Sequence, residues 1–388
     1  MKTIAVLGLG KIGRLAAELL HDSGFEVRGY DAAVDPHGGP FAVGKLDLSD
    51  TKALLSTLAG IDGVLSCLPY HLNISVAEAA HAGGVDYFDL TEDVSTTKAI
   101  LAMSSTAVSL FAPQCGLAPG FVGIVGADLI ARFDECRSCK MRVGALPQNP
   151  TGLMAYSFNW SPEGVVNEYL NDCEVLEDGR LKSVSPMEWI EKTFIDGIEL
   201  EAFTTSGGLG TMCETYLGRV PNLDYKSLRY PGHAKLMNFF FHELLMRERR
   251  REAGEILVNA KPPVEDDVVY VHVAAEGLID WKLARREFVR AYKPMEIAGK
   301  RRTAIAWTTA SSVVAVIEMV RDQALPTRGF LRQEDIGLDR FLATRNGARY
   351  RLGNLKTASR ESPGAAPEGI TAEPRAILPE PVEDKGAT

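Results

Sequence analysis

The run Ile4-Ala5-Val6-Leu7-Gly8-Leu9-Gly10-Lys11-Ile12-Gly13 constrains this chain more than any other stretch. A β-branched segment leads into Gly-x-Gly-x-x-Gly, and apolar residues at helical spacing follow over 12–20. Each glycine meets a geometric need: Gly8 a tight turn, Gly10 the close approach of a pyrophosphate, Gly13 the packing of a helix on the preceding strand. The amides that open the helix, those of Lys11 and Ile12 among them, lack intrahelical partners and lie at its positive end, where phosphate is favoured. A second strand predicted over 26–30 ends at Asp31, so residues 3–31 form a complete unit for a dinucleotide. A carboxylate at Asp31 accepts from both ribose hydroxyls and repels a 2′-phosphate, and Ala32 and Ala33 bring no arginine; NAD is expected rather than NADP.

Short β-branched runs alternate with amphipathic segments as far as about residue 130, as in βαβ units feeding a parallel sheet. Strands are predicted at 3–7, 26–30, 43–46, 63–66, 87–89 and 108–112, with helices over 12–20, 50–58 and 74–82. The expected fold class is α/β, an N-terminal Rossmann doubly wound parallel sheet plus a second α+β domain with a mixed sheet. Ligands bind such sheets at the carboxyl ends of the strands. Asp47 and Leu48 are therefore expected near the adenine, and Cys67, Leu68 and Pro69 near the phosphates and nicotinamide ribose. Cys67 itself reads as a buried packing thiol. Leu90-Thr91-Glu92-Asp93 and Cys115-Gly-Leu-Ala-Pro-Gly120 should border the nicotinamide.

Beyond a helix running to about Arg132 the texture changes to longer strands with aromatic residues, predicted at 140–145, 156–159, 269–275 and 287–292. The expected organisation is an NAD-binding domain over 1–125, a substrate and dimerisation domain over 126–300, a helix over 301–325 returning to the first domain, and a disordered tail over 357–388. A net charge of −9 argues against a nucleic-acid surface, and the basic run of Arg247, Arg249, Arg250 and Arg251 around Glu248 is short enough to be a solvated helix end. No apolar stretch has the length and flanks of a membrane span or export signal. Six cysteines suit a reducing cytoplasm, and Cys136-Arg-Ser-Cys139 lacks the second pair that a structural zinc requires, so no metal is expected.

Three further stretches carry a family likeness. Cys115-Gly-Leu-Ala-Pro-Gly120, Glu201-Ala-Phe-Thr-Thr-Ser-Gly-Gly208 and Leu228-Arg-Tyr-Pro-Gly-His233, in that order, resemble the saccharopine dehydrogenase-like proteins, with the lysine 6-dehydrogenase branch most similar. Ser161-Pro-Glu-Gly164 resembles a segment of that branch. The likeness covers residues 1 to about 325 and departs from the lysine branch around 91–95. It implies a homodimeric two-domain enzyme acting on an amino acid at a C–N bond. In the lysine branch NAD oxidises the side-chain amine to an imine, which water hydrolyses to the semialdehyde with loss of ammonia, and the product cyclises to a piperideine carboxylate.

The residues can be weighed chemically against that expectation. A substrate carboxylate is gripped best by a guanidinium, which points to Arg229; Thr204, Thr205, Gly207 and Gly208 offer hydroxyls and amides for the same group. Oxidation needs a neutral nitrogen and later an activated water, hence a base of near-neutral pKa. His233, within the likeness, and His71, beside the expected nicotinamide, are the candidates. Glu92 or Asp93 can take a substrate ammonium, and Tyr70 or Tyr156 can donate to the imine nitrogen. The expectation is an NAD-dependent oxidation of lysine at its side-chain amine, the alternatives being a saccharopine-type reductase and a non-catalytic NAD-binding regulator.

Overall fold

The alternating pattern of the first third becomes a parallel sheet. Its strands are β1 (Thr3–Leu7), β2 (Glu26–Asp31), β3 (Ala42–Lys45), β4 (Gly63–Ser66), β5 (Asp86–Asp89) and β6 (Leu110–Ala112), in the order β3-β2-β1-β4-β5-β6. A seventh, short strand, Gly329–Phe330, pairs parallel with β6. Four helices connect the strands: α1 (Lys11–Asp22), α2 (Thr51–Leu58), α3 (Asn73–Gly83) and α4 (Val94–Ser104). The last of these is not expected from the sequence, since most of its buried positions are polar. Asp50 caps α2 through the amides of Lys52 and Ala53, both at 3.0 Å, and Asp93 caps α4 through Thr96 N at 2.7 Å. This computed structural model describes residues 1–33 and 40–353. The tail expected over 357–388 lies outside the described residues.

After α5 (Phe121–Ile130) the chain builds a second, mixed sheet. Its strands are β7 (Glu135–Pro147), β8 (Cys173–Glu177), β9 (Arg180–Val184), β10 (Glu191–Ile195), β11 (Ile198–Thr204), β12 (Asn222–Arg229), β13 (Asp267–Ile279) and β14 (Lys282–Tyr292). The main order is β10-β11-β12-β7-β13-β14, with β8 and β9 appended beside β12; β12 and β7 run parallel and the other pairs antiparallel. Residues 156–159, expected as a strand, carry no ladder; Phe158 N instead bonds Lys261 O at 3.1 Å, which places the segment in the cleft wall. Helices α6 (Pro162–Leu170), α7 (Met212–Tyr216), α8 (His233–Asn238) and α9 (Arg250–Ala260) complete this half, and Arg250 and Arg251 open α9 on its exposed side.

Strand β13 shows how the second sheet is held. Successive side chains point to opposite faces, so Val269, Val271, Val273 and Ala275 join one core cluster with α5 and α10 (Ala304–Arg321), while Val268 and Tyr270 join another with residues of α6, α8 and α9. Helix α10 is the one helix among the described residues long and apolar enough to cross a membrane, and it is buried along most of its length against α1 and β13. The sheets are thereby joined: Asp267, wholly buried at the start of β13, accepts from Ala304 N at 2.6 Å and Ile305 N at 2.9 Å, satisfying orphan donors of α10.

A polar pin closes the other end of α10. Glu318, 1% exposed, accepts from Ser23 Oγ at 2.6 Å and from Asn346 Nδ2 at 2.6 Å and N at 3.1 Å. Removing the carboxylate leaves those donors buried without a partner. Glu318→Ala is expected to lower the unfolding free energy by about 2–3 kcal/mol, measured by chemical denaturation; an unchanged midpoint would show that the pin carries no load.

Candidate functional site

Both halves line one cleft of about 450 Å³ at the carboxyl ends of the parallel strands. At one end lie Gly10 to Gly13, Cys67 and Leu68. Gly13 packs so closely that a Cβ there would stand 1.8 Å from Gly8 O, so this glycine is demanded by the fold itself. A Cβ at Gly10 would meet nothing within 4 Å, so internal packing does not demand it. The open space there leaves room for the close approach of a ligand. Helix α1 has no side-chain cap at its start, which leaves its first amides to an anion. Asp31 accepts from Leu9 N at 2.6 Å and Ala33 N at 3.0 Å, which fixes its carboxylate beside the glycine turn. These features fit a pyridine dinucleotide.

The other predicted cofactor residues divide. Burial pushes the Cys67 thiol up to about 12, with the Asp89 charge adding to it, so this residue packs and does not attack. Asp47 is exposed and bonds Ser49 N and Oγ, and that pairing holds its carboxyl below the usual range. Leu48 packs on the core of the first sheet, and Pro69 is exposed ahead of the turn Tyr70–Leu72. Tyr70 lines the cleft; His71, on the same turn, is exposed and lies outside its lining.

The opposite end is organised by two carboxylates on the loop after β5. Asp89 is fully buried and accepts from Thr91 N at 3.0 Å, Gln114 N at 2.8 Å and Tyr87 OH at 2.7 Å; burial pushes it up to about 6 against those bonds. It ties the loop after β5 to the loop after β6. Glu92 then enters the cleft, where burial, with Asp93 and Asp89 adding, pushes its carboxyl up to about 7. Two glycines make room for it. A Cβ on Gly164, in the first turn of α6, would stand 2.8 Å from Glu92 Oε1, and one on Gly207, where φ is +87°, would stand 2.3 Å from Glu92 O. The Ser-Pro-Glu-Gly and Thr-Ser-Gly-Gly stretches thus serve a close contact with Glu92. Asp93, the other candidate for an ammonium, is committed to capping α4.

Arg229 closes the far wall. It is 3% exposed, donates from Nε to Tyr169 OH at 2.7 Å and from Nη1 to Leu228 O at 2.8 Å, and lies 4.6 Å from the Tyr156 ring centroid. Among the described residues it forms no ion pair. The other buried arginine of this sheet behaves differently: Arg142 grips Asp224 through two bonds of 3.0 Å and also binds Glu191. Burial works against the Glu191 carboxylate, yet Arg142 and Lys226 hold it down at about 2. Arg142 is thus saturated by carboxylates while Arg229 faces the cleft with none. Glu168 of α6, 5% exposed, also lines the cleft, and burial pushes it up to about 8 against the pull of Arg229, with Glu92 adding to the rise. Sequence reasoning missed Glu168. Its signal was a carboxylate on the face of α6 that otherwise carries Val165, Val166 and Tyr169.

His233 does not reach the cleft lining. Its Nε2 lies 3.0 Å from Tyr169 OH and its Nδ1 3.1 Å from Met154 O. Tyr169 OH already accepts from Arg229, so its proton goes to His233 Nε2, and Nδ1–H donates to Met154 O. Burial, with Arg229 beside it, lowers His233 to about 3. The imidazole is neutral and backs Tyr169, which orients Arg229; it is no base for the substrate. Thr204 Oγ1 donates to Ser185 O at 2.8 Å, and Thr205 Oγ1 pairs with Ser227 Oγ at 2.8 Å, so Thr205 supports a lining residue and Thr204 braces the strand. Gly207 faces Glu92 as described, Gly208 packs on the Tyr225 ring, and Tyr156 lies beneath Arg229, outside the lining.

Residues 4–110 match the family model described as saccharopine dehydrogenase NADP binding domain, and residues 116–345 match that of the saccharopine dehydrogenase C-terminal domain. The chain is 26% identical over 266 residues to the mitochondrial alpha-aminoadipic semialdehyde synthase of Bos taurus, covering 62% of this chain and 28% of that protein. It is 26% identical over 302 residues to the saccharopine dehydrogenase [NADP(+), L-glutamate-forming] of Pyricularia oryzae, covering 69% of this chain and 65% of that one. The chain thus spans about a quarter of the first relative and just under two thirds of the second. The fold is shared with apo saccharopine dehydrogenase (L-Glu forming) from Saccharomyces cerevisiae, at a TM-score of 0.72, 16% identity and coverage of 88% of this chain and 96% of that one. With both family models matched in tandem along a chain of this fold, the protein belongs to the saccharopine dehydrogenase family.

Proposed function

We propose that this chain is an NAD-dependent oxidoreductase that oxidises the side-chain amine of an amino acid, with lysine as the substrate, to the semialdehyde and ammonia. The observation that carries the reading is Arg229, a buried guanidinium without a carboxylate partner among the described residues, in the same cleft as the open start of α1. Leaving a buried charge unpaired costs several kcal/mol, a cost that a bound carboxylate removes through a bidentate grip.

The bound nicotinamide supplies a hydride acceptor. The chain's own groups prepare the substrate. Arg229 holds the carboxylate, with Tyr169 fixing the guanidinium from behind. Glu92, on the loop nearest the expected nicotinamide end, takes a proton from the substrate ammonium so that the nitrogen lone pair can form the C=N bond as hydride leaves the carbon. Water then adds to the imine carbon, the C–N bond breaks, and ammonia departs. Low accessibility around Leu117, Phe158 and Ile305 limits bulk water during the hydride step.

Lysine is favoured over saccharopine by the cations available. Lys11, on the glycine turn, and Arg229 are the lysine and arginine side chains among the lining residues, so one guanidinium is left for the substrate. Lysine has one carboxylate and saccharopine three. NAD is favoured by the Asp31 carboxylate, held beside the glycine turn by two amides, although the matching family model and the fungal relative carry NADP in their names.

Absorbance of NADH, followed while lysine, ornithine and saccharopine are offered singly with NAD or NADP, tests the reading. Lysine turnover with stoichiometric ammonia is expected; reduction with saccharopine alone would sink the lysine assignment. Glu92 works ionised, and its raised carboxyl is protonated as pH falls through about 7, so kcat/KM should decline below that pH. Glu92→Gln should cut kcat by about 10²- to 10⁴-fold and abolish that decline; a variant with the parental profile places the base elsewhere. Asp31→Ala should reduce the preference for NAD over NADP by about tenfold, or 1.4 kcal/mol, and an unaltered preference would remove Asp31 from cofactor selection.

A further inference from the structure

Glu168 has no part in the chemistry assigned to Glu92, and its surroundings set it apart. It lines the cleft and also a second cavity of about 320 Å³ bordered by Glu92, Asp93, Asp172, Glu174 and Ser206. That cavity is not free acid: Glu174 is paired with Lys98 at 2.9 Å and Asp172 accepts from Ser183 Oγ at 3.2 Å. Glu168 differs from both. Its carboxylate is buried, and no described residue donates a hydrogen bond to it or comes within ion-pair distance. Its backbone carbonyl is used by Ser206 N at 3.1 Å, which anchors this turn of α6 and leaves the side chain to the cavity.

Arg229 and Glu168 are therefore a buried guanidinium and a buried carboxyl that line one cleft yet do not join as an ion pair, and burial holds the carboxyl at the edge of ionisation. A protein that needed them only for stability would close the pair, as Arg142 does with Asp224 at 3.0 Å in the same sheet. Arg229 is kept from doing so by Tyr169 OH at its Nε, by Leu228 O at Nη1 and by the Tyr156 ring beneath it. A ligand that bears both charges on one carbon meets both groups at once.

We infer that Glu168 receives the α-ammonium of the amino acid whose α-carboxylate lies on Arg229, so that the cleft selects free α-amino acids and discriminates against analogues that lack the α-amino group. The inference rests on Arg229 as the carboxylate seat, proposed above, and adds a specificity-determining residue to it. The side-chain amine then extends from this anchor toward Glu92 and the glycine turn, which separates the amine that is recognised from the amine that is oxidised.

Calorimetric binding to the NADH-loaded full chain tests this with two ligand pairs, L-lysine against 6-aminohexanoate and L-norleucine against hexanoate. The native protein should prefer the α-amino member of each pair by about tenfold or more, as expected for a charge-assisted bond. Glu168→Gln should bring the preference to within about twofold, raise KM for lysine more than it lowers kcat, and leave NADH affinity unchanged; Glu168→Asp should restore part of the preference. Equal binding within each pair by the native protein would overturn the inference, as would full preference in Glu168→Gln. Turnover reads the other claim separately: discrimination in binding with no oxidation of lysine would keep this seat and reject the lysine dehydrogenase reading.

Discussion

The buried carboxylate of Asp89 is the contact on which the site depends. It stands at the end of β5 and collects the amides of Thr91 and Gln114 together with the phenol of Tyr87, so that two loops leaving adjacent strands are held by one side chain. A carboxylate taken out of water is tolerated only when its lone pairs are used, and here two of the donors are amides of the loops that run on into the cleft wall. The loop it fixes carries Glu92 against Gly164 and Gly207 of the second half. The close approach of the halves at this point thus follows from a hydrogen-bonding requirement in the first sheet and from missing Cβ atoms in the second.

The second sheet divides its buried charge into two kinds. Arg142, Asp224, Glu191 and Lys226 satisfy one another and brace β10, β12 and β7. Arg229 and Glu168 are left incomplete at the cleft. A closed network adds specificity to packing, whereas an open pair is a standing cost unless a ligand completes it. His233 belongs to the bracing kind: neutral and backing Tyr169, it preserves the orientation of Arg229 without entering the cleft.

Much of the first sheet was legible because its signals are local. β1 and β4 lie where the β-branched runs predicted them, and the glycine turn and Asp31 adopt the expected arrangement. Helix α4 was not foreseen, because its buried positions, Thr96, Thr97, Ile100 and Ser104, are largely polar. In the second half, strands β8 to β12 were missed, among them the two that carry the first residues of 201–208 and 228–233. Pairing partners there are distant in the chain, as with β7 beside both β12 and β13, and strand preference depends on such neighbours.

The sequence alone determined the dinucleotide unit, the acid that ends β2, and the presence of a guanidinium suited to a carboxylate, since each is a matter of residue type at short spacing. Tertiary structure decided which polar residues share the cleft. It placed Arg229, Glu92 and the unpredicted Glu168 in one cavity, moved His233 behind Tyr169, set Thr204 to bracing β11, and left His71 in solvent. The physical reason is that burial and hydrogen-bond partners, which decide whether an ionisable group is charged, neutral or exposed, come from strands and helices tens to hundreds of residues apart.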